Sequence, residues 1–274
     1  MNRNNTGLTI RRQNGRLVAL FTVAGAAGAA AILPYQFALS GQTLQGAAAQ
    51  AGLPPGALIG LSVLQTAVQV LIASWLGLLM ARSAGLDAPM LRSWMYRTPA
   101  PAWSGRWLTI AIAGSFLLTL LLALTDKLLL QPYLPPAVHV AAAAASHQMP
   151  LWSRASTALY GGVVEEVLLR LFVMTLLVWI LSIPARRSHR PIAPAVYVCA
   201  IVLATLLFGF GHLPATASLF GGLSGLLVVR ALVLNGLLGL LFGWLYWKKG
   251  LEYAIVSHLF ADLFLHVLWA SALA

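Results

Sequence analysis

Long apolar runs recur along this chain, and they constrain its fold more than any other feature. They fall at about Leu17 to Leu33, Ala57 to Met80, Trp107 to Leu124, Leu151 to Ile183, Ala193 to His212, Leu213 to Trp247 and Leu251 to Ala272. About 17 to 25 apolar residues cross the hydrocarbon core of a bilayer as a helix. Lipid offers no hydrogen bonds, so each crossing segment must satisfy its own backbone, which a helix does. The expected fold is all-α, a polytopic membrane helix bundle. Leu151 to Ile183 is longer than a span needs, which implies tilt or a partly interfacial course. Leu213 to Trp247 reads either as one span behind a loop or as two short spans meeting near Arg230 and Asn235. The total is therefore seven or eight.

No polar stretch is long enough for a separate soluble domain. Residues 1–274 read as one integral membrane domain, with 1–150 as N-terminal spans of unassigned role and 151–272 as the helices that carry motifs. Hydrophobic residues make up 60% of the chain and charged residues 8%, and that apolar excess must face something other than water. The net charge of +11 would suggest nucleic acid on a soluble protein. Here the basic residues sit in gaps between apolar runs, so the expected partner is the lipid bilayer, with no nucleic acid. Arg3, Arg11, Arg12 and Arg16 precede the first run, and further arginines fill Arg82 to Arg106 and Arg186 to Arg190, while Pro34 to Gly56 has none. That alternation places the N-terminus in the cytoplasm of a cell (inner) membrane. Basic residues followed by an alanine-rich run also resemble a cleaved leader, but the polytopic remainder favours a retained span. Cys199 is the single cysteine and reads as apolar filler. Gly221-xxx-Gly225 and Gly239-xxx-Gly243 read as helix contacts. Gln131 to Met149, with its alanine run, reads as a short helix at the membrane surface.

Six acids exist in the chain, and Glu165, Glu166 and Asp262 lie inside expected spans. A charge at the centre of a spanning helix costs roughly 2.5 to 3.5 kcal/mol. Glu165, Glu166 and Arg170 together would cost about 8 to 10 kcal/mol before pairing. Glu166 and Arg170 are four apart, share a helix face and can neutralise each other. Glu165 points about 100° away and has no partner at that spacing, which suits a proton acceptor. Phe208 and His212 are four apart before Pro214, and His258 and Asp262 are four apart in the last run, with His266 continuing the stripe. Each pair alone reads more simply as packing or self-satisfaction, and the acids alone as glue between helices. Together, three helices carry polar groups that lipid cannot satisfy. The economical arrangement gathers Glu165, Glu166, Arg170, His212, His258 and Asp262 around one wet cavity. A carboxylate and two imidazoles suit water activation for hydrolysis. No nucleophile motif stands near, and Ser257 points off the face of His258.

Glu165-Glu166-xxx-Arg170, Phe208-xxx-His212 and His258-xxx-Asp262, in that order on separate spans, resemble the CAAX protease and bacteriocin-processing (Abi or CPBP) family of intramembrane proteases. The resemblance runs from about Tyr160 to Val267. It implies an intramembrane endopeptidase that cleaves a membrane-anchored protein or peptide, prenylated or not, often near its C-terminus. It further implies that Glu165 activates water with help from His212, and that Glu166 and Arg170 hold that helix. His258 and Asp262 would steady the oxyanion or the water. Asn is common at the last position, and Asp262 departs from it. Zinc on His212, His258 and Asp262 is one reading. Water activation by Glu165 without a cofactor is the preferred one, since the HExxH signature is absent. Two other functions fit the same residues: a non-catalytic membrane scaffold or bacteriocin-immunity protein, and a proton-coupled transporter, although no inverted repeat supports the latter.

Overall fold

A computed structural model describes residues 3–39, 42–99, 102–135 and 149–273, with side chains from residue 14 onward. The stretch Gln131 to Met149, expected to form a surface helix, lies mostly outside the described residues. Every regular element among the described residues is helical. α1 (Arg3–Leu39), α3 (Pro55–Ala81) and α5 (Gly105–Thr125) alternate with two short helices, α2 (Leu44–Ala51) and α4 (Pro89–Tyr96). α6 is a continuous run of Leu151–Leu159, a π-helical stretch Tyr160–Met174, and Thr175–Leu181. α7 (Pro194–Gly211) continues after a break at His212 as α8 (Leu213–Phe220). α9 (Gly225–Lys249) turns tightly at Gly250 into α10 (Leu251–Asp262), which runs on as a π-helical stretch, Leu263–Trp269.

Among the described residues six helices are long and apolar enough to cross a membrane: 14–39, 55–84, 105–133, 194–220, 225–249 and 251–272. The sequence suggests seven or eight. The seventh long run is α6, which carries the acids. Among the described residues there is no eighth, because Leu213 to Trp247 is not two spans. Arg230 and Asn235, the polar residues where a break was expected, are satisfied within one unbroken α9. The Arg230 guanidinium donates to both oxygens of Asp126 at 2.6 and 2.7 Å, and Asn235 donates to the Ala231 carbonyl at 2.9 Å.

Side-chain size decides how closely the helices approach. α6 packs between α1, α3 and α10, and its inner face of Val164, Val167, Leu171, Met174 and Val178 is fully buried. A Cβ on Gly239 would stand 3.0 Å from Thr205 Oγ1, and one on Gly243 would stand 3.0 Å from Ile201. Those two glycines are the α7–α9 contact that their spacing suggests. Gly221 and Gly225 are not such a contact, since a Cβ added at either would meet no neighbouring helix within 4 Å among the described residues. Gly221 instead has φ +72° and closes α8, a conformation that favours glycine.

The ends of the helices sort by charge. Arg16 lies over the Tyr96 ring, Asn14 donates to the Leu78 carbonyl, and Arg92 bridges Asn14 and Asp87. Tyr197 donates to the Ala84 carbonyl and stacks on Trp247, while Lys248 lies over Trp247 and Lys249 over Trp107. The start of α1, the end of α3, α4, the start of α5 and the α9–α10 turn thus meet at one face rich in Arg, Lys, Trp and Tyr. The end of α6 lies against Arg82–Ala84 at that same face.

Candidate functional site

The site forms where α6 meets α10, and two glycines permit the approach. A Cβ on Gly161 would collide with Asp262 Oδ2 and stand 2.8 Å from His258 Nε2. One on Gly162 would come within 2.5 Å of Leu259. Directly after this pair, the π-helical stretch presents Glu165 and Glu166. π-helical turns are rare and concentrate at functional positions.

Glu166 is fully buried and organises the cluster. Its Oε1 lies 3.0 Å from Arg170 Nη1 and 2.7 Å from His258 Nδ1. A carboxylate only accepts, so His258 donates from Nδ1. Its Nε2 then faces Glu165 Oε2 at 3.5 Å and Asp262 Oδ1 at 3.8 Å. The Glu165 side chain keeps 21% of its surface exposed and that of Asp262 keeps 13%, while Glu166 has none. The partner that holds the imidazole is therefore Glu166 on another helix. Asp262, the neighbour at i+4, stands farther off.

Aromatic rings wall the charges. The Arg170 guanidinium lies 4.9 Å from the Phe208 ring centre and 5.2 Å from that of Phe242, and it donates to the Gly239 carbonyl at 3.2 Å. His258 stacks on Phe242 at 4.4 Å. Cations over aromatic faces recover part of what they lose on leaving water. Phe242 is not legible in the sequence, for nothing sets it apart from its apolar neighbours. Gly161 and Gly162 were legible as a pair of glycines in a helical run, the usual sign of close approach.

Of the six candidate residues, five gather: Glu165, Glu166, Arg170, His258 and Asp262. His212 stands one ring away. Its Nδ1 donates to the Phe208 carbonyl at 2.8 Å, and its ring meets Phe208 edge-on at 4.7 Å. Phe208 in turn meets His258 edge-on at 5.9 Å. With Nδ1 committed as donor, a neutral His212 holds its free lone pair on Nε2. Among the described residues no three His, Cys, Asp or Glu side chains stand placed to share a metal ion. Of the set His212, His258 and Asp262, His212 is separated from His258 by the Phe208 ring. Ser257 is buried and exchanges hydrogen bonds with Ser115, turned from the site as its position suggests.

Residues 147–264 match the Rce1-like family, type II CAAX prenyl endopeptidase Rce1-like. That stretch holds all three motifs and every member of the cluster, and it bears out the resemblance drawn from them. It spans less than half of the chain, leaving α1 to α5 outside. No curated protein and no solved structure matches the chain. At the level of the family, the Rce1-like segment points to a membrane-embedded protease acting on a protein substrate.

Proposed function

We propose that this protein is a CAAX-type intramembrane endopeptidase in which Glu165 activates water without a metal. The observation that carries the reading is the pairing of Glu165 with His258. A partly exposed carboxylate faces, across 3.5 Å, an imidazole nitrogen whose ring is held from behind by a buried carboxylate. That combines a base open to water with a positioned donor.

In the proposed reaction Glu165 takes a proton from water as the water oxygen bonds to the scissile carbonyl carbon. The imidazolium of His258 donates from Nε2 to the developing oxyanion. The C–N bond then breaks, and the proton held by Glu165 passes to the leaving nitrogen. Glu166 keeps His258 in the tautomer and orientation this needs, and Arg170 balances Glu166. Asp262 supports the charge on His258, and His212 offers Nε2 as a second acceptor for water. The substrate is a membrane-anchored protein or peptide, and the basic face of the bundle is the cytoplasmic one.

Glu165→Gln tests this directly. The variant retains shape and packing, so it is expected to purify and melt like the unaltered protein while losing at least about a thousandfold in cleavage. Comparing peptide termini in membranes holding either form identifies the substrate. Substantial cleavage by the Gln variant would remove Glu165 from its role. Binding without any new termini would favour the scaffold reading instead.

A further inference from the structure

α3 carries two polar side chains where a membrane helix has least use for them. Gln65 and Gln69 lie four apart, and both are exposed at the surface of the bundle. The span they belong to runs over 55–84, so Gln69 stands at its middle and Gln65 one turn away. The hydroxyls of α3 are satisfied within the helix: Ser62 donates to the Leu58 carbonyl at 2.9 Å, Thr66 to that of Ser62 at 3.2 Å and Ser74 to that of Leu71 at 3.2 Å. The two glutamine amides have no hydrogen-bond partner among the described residues. Hydrocarbon supplies none either, so an amide facing it at mid-depth is costly until another helix completes it.

The face around them has the pattern of a helix seam. Leu61, Gln65, Val68, Ile72, Trp75 and Leu79 recur at alternating spacings of four and three, and all six are exposed. Such spacing draws one stripe along a helix and suits the left-handed crossing common in membrane bundles. Gln65 falls within the stripe and Gln69 beside it. On the opposite side Val70, Ala73, Ser74 and Gly77 are buried against the bundle. A Cβ on Gly77 would collide with the Leu171 carbonyl of α6, so α3 reaches α6 by that inner side and turns the seam outward. Of the six helices long and apolar enough to span, α3 is the least covered: 17% of its most apolar stretch is buried within the bundle, against 22 to 39% in the others.

A second copy of the chain is the occupant this face fits. A primary amide carries both donors and an acceptor, so it pairs with its own counterpart. Two copies inserted with one orientation in one bilayer meet about a two-fold axis along the membrane normal. Their α3 helices then run parallel, and each seam position faces itself at the same depth. An unrelated helix matches this only by carrying its own polar group at that depth. α3 packs on α1, α2 and α6, whereas Glu165 and His258 meet between α6 and α10. A helix docked on the outward side of α3 does not reach them, so the face is no path for substrate. We propose that the outward face of α3 is a self-association surface, on which a second copy docks in parallel while Gln65 and Gln69 exchange hydrogen bonds across the seam. The proposal does not depend on the peptidase reading.

The test uses full-length protein in lipid vesicles over a series of protein-to-lipid ratios, with the oligomeric state read from photobleaching steps of one label per chain. The unaltered protein is expected to dimerise. Replacing both amides, Gln65→Leu with Gln69→Leu, suits lipid and breaks no contact within the chain, and it is expected to weaken the dimer at least about tenfold. In a Cys199→Ala background, Val68→Cys in the seam is expected to form a disulfide between copies. Leu117→Cys, also exposed but on α5, is expected to form none. A protein that stays monomeric at every ratio overturns the proposal. So does a dimer that the double leucine variant leaves unchanged, or equal cross-linking from Val68→Cys and Leu117→Cys, the sign of random collision. Cross-linking of Val68→Cys in native membranes to a different protein, and not to itself, gives the face another occupant and likewise overturns self-association.

Discussion

One oxygen atom, Glu166 Oε1, holds both Arg170 at 3.0 Å and His258 at 2.7 Å. The other, Oε2, is buried with no hydrogen-bond partner among the described residues. Removing this carboxylate strands a fully enclosed guanidinium and frees the imidazole from its anchor. Glu166→Ala is expected to cost about 3 to 5 kcal/mol of stability, read as a lowered melting midpoint in detergent and poor yield. Glu165→Gln leaves no cation stranded and should show neither effect. The two adjacent glutamates therefore separate by assay, Glu166 failing in stability and Glu165 in activity. A Glu166→Ala protein as stable as its parent would remove the anchoring role.

Helix packing at this site depends on missing atoms. In isolation alanine is the better helix former, by about 1 kcal/mol over glycine. Gly60→Ala, at a position with open space around it, should therefore be neutral or slightly stabilising. Gly161→Ala has the same local gain and the opposite expected outcome, because its Cβ would push Asp262 and His258 away from α6. Cleavage is expected to fall by at least tenfold, with His258 displaced from Glu165; activity unchanged in Gly161→Ala would show that the approach is not tight. A second long-range contact fixes α4. Glu252 Oε1 accepts from the Leu91 N–H at 2.8 Å, and the Leu251 N–H donates to the Asp87 carbonyl. The first turn of α4 is thereby capped by a carboxylate from α10, a contribution of about 1 kcal/mol. Glu252→Ala should loosen α4, detected as faster proteolysis after Arg92 or Arg97.

At the scale of the molecule, the seven long helical runs among the described residues bring the arginine-rich gaps and Lys248–Lys249 to one face, as the contacts among Arg16, Tyr96, Ala84, Trp107, Tyr197 and Trp247 require. Splitting Leu213 to Trp247 into two spans would have sent the two lysines to the opposite face. Single cysteines in a Cys199→Ala background distinguish these. Ser83→Cys and Ser188→Cys should react with an impermeant thiol reagent from one side of sealed vesicles, and Ser224→Cys from the other. Labelling of Ser224→Cys from the same side as Ser188→Cys would refute the seven-run arrangement. The cluster sits some eight residues above the basic face on α10.

Local pattern by itself determined the membrane bundle, because apolar length and the scarcity of charge leave a chain no other solvent. It also singled out five residues that the fold gathers, Glu165, Glu166, Arg170, His258 and Asp262, since each intramembrane charge carries a cost that demands a partner. Spacing was enough for the Glu166–Arg170 pair, which forms within one helix. Distances between helices were not local, and only the tertiary structure decided them. Glu166, rather than Asp262, holds His258 because Gly161 and Gly162 let α10 close on α6. His212 sits behind Phe208 because its helix breaks there, one turn past the cluster. The unbroken α9 likewise depends on what Asp126 reaches. Such facts depend on which side chains the packed bundle brings together, which no single segment specifies.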